Sequence, residues 1–154
     1  MYEVVLSLHS ILRWGVVITG LLVLQQGLAG LLAGGELGNL GKRVQLWFLM
    51  SVDTMLLLGI VLWVISPTVQ SARDDMGAAM KDPNLRYFAV EHGATMLLAV
   101  VVVHVGRVAA KRAQSVRAGH MRTAIYAAVA LALIALRTPW PFMEPGRPWI
   151  RLPF

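Results

Sequence analysis

Long apolar runs alternate with short polar connections along this chain, and the runs define its elements. Residues 4–32 are apolar apart from His9, Arg13 and a few small polar side chains, and 44–65, 87–108 and 123–138 form three further runs. At ~1.5 Å rise per residue, runs of about twenty residues cross the ~30 Å hydrocarbon layer of a bilayer. The pattern predicts an all-α protein, a four-helix transmembrane bundle in one membrane domain spanning 1–154. The glycines in AGGELGNLG end the first helix, because glycine supplies the conformations that turns need, and Ser66-Pro67 closes the second.

Between them, TVQSARDDMGAAMKDPNL at 68–85 is the one polar connection of any length. Its Asp82-Pro83-Asn84 reads as a turn, preceded by a short surface helix at the headgroups. VAAKRAQSVRAGHMR is a basic connection between the third and fourth helices. Pro139, Pro141, Pro145, Pro148 and Pro153 stop any further helix, which predicts an irregular, tryptophan-bearing tail over 139–154 at the membrane interface. The opening MYEVV lacks the basic start and small-residue cleavage site of a signal peptide, so the first helix is expected to be retained.

Composition agrees with the pattern. The chain is 57% hydrophobic and 14% charged, with a mean hydropathy of +0.65, against roughly 45–50% and ~25% in soluble domains. The absence of cysteine excludes disulfides, Cys-ligated zinc, Fe–S clusters and Cys-attached haem. A net charge of +6 sits in connections beside apolar spans, so anionic lipid headgroups, not nucleic acid, are the expected counter-charge. Lys42, Arg43, Arg107, Lys111, Arg112, Arg117 and Arg122 fall at one end of the bundle, and Arg73, Lys81, Arg86, Arg147 and Arg151 at the other. The positive-inside bias then puts both termini on the external side of a cytoplasmic (inner) membrane.

Ionisable side chains inside a span cost about 2.5–3.5 kcal/mol on insertion scales and mark functional sites by default. His9 and His92 each lie about five residues into a helix that starts outside, ~8 Å below one surface. Arg13 is one turn below His9 on the same face, and Glu91 and Arg137 fall in the same layer, with Trp14 and Trp140 nearby. Two neutral imidazoles facing each other at one depth provide the axial ligands of a b-type haem. Arg13 and Arg137 are placed to pair with its propionates, because guanidinium bonds carboxylate bidentately. Gly15, Gly93 and Ala94 would let a flat ring approach the backbone.

His104, twelve residues after His92, sits ~120° around the helix from it, which favours one haem over two. Asp53 lies near its level, so the two are expected to touch and to form either a structural pair or a proton path to a bound quinone. His120 falls in the basic connection and is expected to be solvated, and Met96 is read as packing. No phosphate loop, nucleophile elbow, HExxH or Walker motif is present. Three other readings stay open for the histidines: interhelical hydrogen bonds in a haem-free quinone-binding or anchor subunit, a chlorophyll ligand, and a metal site of His9, Glu91 and His92 in a small transporter.

LHSILRW at 8–14, KDPNLRYFAVEH at 81–92, VGR at 105–107, RTPWPF at 137–142 and GRPW at 146–149 resemble a group of small bacterial four-helix membrane proteins labelled cytochrome b. The likeness covers nearly the whole chain. More distantly the chain resembles the cytochrome b561 type, which passes electrons between haem and quinol or another small redox molecule. That type carries more histidines at two depths, whereas only His9 and His92 match a ligand pair here. The resemblance therefore implies His9 and His92 as haem ligands and leaves the number of haems to the histidine spacing; a quinone, a partner redox protein or a homo-oligomer is the expected company.

Overall fold

The computed structural model describes residues 1–151, so Pro153 and the last residues of the tail lie outside the described part. The described chain is all helical apart from its connections and tail. Helix α1 spans Tyr2–Ala33 and α2 spans Asn39–Ile65. The short helices α3 (Pro67–Asp74), α4 (Met76–Ala79) and α5 (Pro83–Arg86) follow. A five-residue π-helical turn at Tyr87–Glu91 leads into α6, His92–Lys111, and α7 spans Val116–Arg137. Among the described residues four helical spans, Tyr2–Ala33, Asn39–Ile65, Pro83–Lys111 and Val116–Arg137, are long and apolar enough to cross a membrane. They suggest a multi-pass membrane protein.

Three of the four spans begin four or more residues earlier than hydropathy places them, and local chemistry explains two. Asp82, expected in a turn, caps α5: its Oδ1 accepts from the backbone N–H groups of Asn84 (2.8 Å) and Leu85 (3.0 Å), and Pro83 at the first helical position has its φ already set. Ser115 caps α7, its Oγ accepting from the Ala118 N–H at 3.2 Å. The basic connection thus shrinks to a few residues, and Arg117, His120 and Arg122 become helical. Helix α2 starts at Asn39, leaving a connection in which Gly34 and Gly35 take positive φ of 69° and 84°, the left-handed region open to glycine.

Helix α1 packs along α2 and α7, α7 packs along α6, and the α2/α6 seam is the loosest of the four. Val16 and Val23 of α1, Phe48 and Val52 of α2, Ala99 and Val103 of α6 and Ala127 and Ala130 of α7 form the shared core. Small residues set the closest approaches, as is usual where lipid supplies no hydrophobic drive between helices. At Gly27 an added Cβ would lie 2.6 Å from the Ala124 backbone nitrogen. Outward-facing Leu21 (53% exposed), Leu57 (64%), Val105 (63%) and Ile125 (55%) give the bundle an apolar girdle suited to lipid.

Gly27→Val in α1 is expected to force α1 off α7, costing about 1–3 kcal/mol. Gly38→Ala, where an added Cβ meets nothing within 4 Å, is expected to leave stability unchanged. Thermal unfolding of both variants in the same detergent compares them directly.

Candidate functional site

At the end where α1 begins and α7 stops, side chains of α1, α2, the π-helical turn, α6 and the tail surround a cavity of about 430 Å³, within the usual range of roughly 300–1,000 Å³ for ligand sites. Its walls are mostly apolar. Its polar members include His9, His92, Arg13, Arg147 and Arg151.

The C-terminus of α7 positions one histidine. Pro139 bars continuation of the helix, so its last carbonyls need other donors. Thr138 Oγ1 donates to Ile134 O (2.6 Å) and Trp140 Nε1 to Ala135 O (2.8 Å). The carbonyl of Arg137 receives two donors from across the bundle, Tyr87 Oη at 2.8 Å and His92 Nδ1 at 2.7 Å. A carbonyl only accepts, so Nδ1 carries the proton and the lone pair of His92 rests on Nε2. The wider π-helical turn sets Tyr87 and His92 on the same side, with ring centres 5.9 Å apart and planes 29° apart. Such turns cluster at functional sites. The indole of Trp63 donates to Ala89 O in the same turn at 2.8 Å, tying α2 to it.

His9 faces His92 from α1. Their ring centres are 6.5 Å apart, with planes inclined at 67°. The buried Nδ1 of His9 has no hydrogen-bond partner among the described residues. Its ring edge lies against Gly59 of α2, with Cε1 3.6 Å from where a Cβ would stand. An added Cβ at Gly93, beside His92, would meet nothing within 4 Å, so the cavity has room there. Gly93, Ala94 and Gly59 line the cavity, whereas Gly15 does not.

The expected cations separate. Arg137, with Glu91, stays outside the cavity lining. Glu91 Oε2 takes Arg137 at 3.1 Å and its Oε1 takes Arg86 at 2.7 Å. With both oxygens held by guanidinium groups, Glu91 is no third metal ligand, and among the described residues no group of three or more His, Asp or Glu could hold a metal ion. Arg13 does line the cavity and is 8% exposed. It donates to the carbonyls of Trp149 (2.5 Å) and Pro148 (3.4 Å), sits 5.7 and 5.6 Å from the ring centres of Trp14 and Trp140, and among the described residues its buried Nε has no partner.

Those carbonyls belong to the tail, which folds back onto α1 and lines part of the cavity. Trp14 Nε1 donates to Trp149 O (3.0 Å), the Arg151 N–H donates to Ser10 Oγ (3.1 Å), and the Arg151 guanidinium pairs with Glu3 (2.9 Å). The tail thereby brings Arg147 and Arg151 to the cavity, two cations that no helical periodicity could place there.

The remaining histidines lie elsewhere. His104 Nε2 meets Asp53 Oδ1 at 2.7 Å, the contact the sequence led us to expect, outside the cavity lining. His120, expected to be solvated, is only 5% exposed. The early start of α7 turns it onto Gly30, and its Nε2 donates to Gly35 O at 2.8 Å, so it fastens the connection between α1 and α2.

Two imidazoles ligating one metal ion would have ring centres ~6 Å apart, from bonds of ~2 Å on each side and ~1 Å from each nitrogen to its ring centre; the His9 and His92 ring centres stand 6.5 Å apart. The cavity is apolar between the helices and carries guanidinium groups at its tail end. The chain matches no protein-family model, no curated protein and no solved structure.

Arg13→Met removes the donor that holds the tail carbonyls. Hydrogen bonds to charged groups contribute about 1.5–3 kcal/mol, so amide hydrogen exchange over 140–151 is expected to rise about tenfold or more while exchange in α2 and α6 stays unchanged, as mass spectrometry would record.

Proposed function

We propose that the chain is a b-type cytochrome-like electron-transfer protein holding one haem between His9 and His92. The observation that carries this reading is the pair of imidazoles on separate helices across an apolar cavity, with the His92 lone pair set on Nε2 by the Arg137 carbonyl. A haem there would supply a one-electron carrier. His9 and His92 would each give the iron a nitrogen, leaving no open position for oxygen chemistry. Arg13, Arg147 and Arg151 would neutralise the propionates, in place of the Arg13 and Arg137 pair suggested by sequence. The apolar walls would exclude water from the cofactor, and the tail would cover its outer edge.

In this reading the haem end faces the external side of the inner membrane, following the lysine and arginine bias. Electrons would pass between a membrane quinone and an external or partner redox centre. A haem-free site for a quinone ring is the second reading. It is favoured by Ile60 (51% exposed) and Leu97 (52%), apolar side chains that line the cavity and are also exposed on the outside of the bundle.

A reduced-minus-oxidised spectrum of protein purified from haem-replete membranes tests the first reading. An α band and a Soret shift are expected, and His9→Ala and His92→Ala should each lower bound haem about tenfold or more, as loss of a ligand does more harm than loss of its supporting partner. A flat spectrum with quinone in the organic extract would transfer the cavity to the second reading.

A further inference from the structure

The α2/α6 seam carries a feature that the cavity does not use. Asp53 and His104 hydrogen-bond across it, yet their side chains remain 44% and 48% exposed on the outside of the protomer. Asp53 lies ~21 Å along α2 from Asn39 and ~18 Å from Ile65, so it is far from either helix end. Ionisable groups at such depth face protein or a water-filled cavity, because lipid offers them no partner. Large exposed apolar side chains surround them: Met50 (57% exposed) and Leu57 (64%) flank Asp53, and Leu97 (52%) and Val101 (48%) precede His104, while Arg107 follows it by one turn.

We propose that this seam is the interface of a symmetric dimer with a second copy of the chain. The chemistry is self-complementary. In each protomer Asp53 Oδ1 is engaged by His104 Nε2, while among the described residues Oδ2 and Nδ1 make no further hydrogen bond. In the imidazolium–carboxylate form these are one acceptor and one donor. A two-fold axis along the membrane normal brings the Nδ1–H of one copy to the Oδ2 of the other, twice. The four groups then close a neutral ring shielded from lipid. An unrelated partner would need its own matching acceptor and donor at that depth, whereas a second copy supplies both by symmetry. The same axis sets the exposed, cavity-lining Ile60 and Leu97 of the two copies against each other.

Because the chain has no cysteine, single-cysteine variants of the full protein report on the interface directly. In phosphatidylethanolamine/phosphatidylglycerol vesicles, oxidation should give about tenfold more disulfide dimer for Leu57→Cys and Val101→Cys than for Leu21→Cys and Ile125→Cys on the opposite side. Asp53→Leu combined with His104→Leu removes both polar partners, leaves no unpaired charge, and should raise the dimer dissociation constant, read by energy transfer between labelled copies, about tenfold. Equal cross-linking on both sides, none at all, or an unchanged dissociation constant would each overturn the proposal. Neither readout depends on haem. A haem-free preparation that still cross-links at the seam sinks only the cytochrome reading, and a haem-loaded monomer sinks only the dimer.

Discussion

The Arg137 carbonyl, at the point where Pro139 halts α7, accepts from both Tyr87 and His92, and the rest of the site follows from that joint. A helix end buried without donors is costly, since each unpaired polar group forfeits about 1–3 kcal/mol. The chain meets the demand with side chains from the facing span. In doing so it fixes the tautomer of His92, presses the π-helical turn against α7 and closes the bundle at the end where the cavity lies. The guanidinium of Arg137 reinforces the same joint through Glu91. Its contribution is therefore to hold the two helices together, one step removed from any ligand.

Much of the architecture was legible because lipid-facing helices must be apolar along their whole length, and such runs cannot be mistaken. Their starts were harder to read. Arginine, alanine, histidine and methionine are all compatible with helix, so hydropathy loses sight of α7 over 116–122 although the chain is already wound there. The caps at Asp82 and Ser115 were visible signals, and weighing them above hydropathy would have placed both ends correctly. His120 suffered from the same error, since a residue assigned to a connection cannot be assigned a buried face.

The histidine pair was readable by counting residues from the helix ends, because a straight helix converts sequence distance into depth. So was the contact between Asp53 and His104. The cations around the cavity were not. Whether Arg137 points at a ligand or at Glu91 depends on how two helix termini meet, and the arrival of Arg147 and Arg151 depends on a proline-rich tail with no period of its own. Gly59 escaped notice for a related reason: it matters only because the ring of His9, on another helix, lies against it.

The π-helical turn works as a phase adjuster. Each residue advances a helix by ~100°, so the extra residue accommodated between Tyr87 and Glu91 rotates the whole of α6 relative to α5 without bending the span. A chain one residue shorter at this point would recover an ordinary helix of nearly the same length and hydropathy, and would cross the bilayer equally well. It would also swing the imidazole of His92 away from α1, leaving an apolar bundle with its histidines out of register.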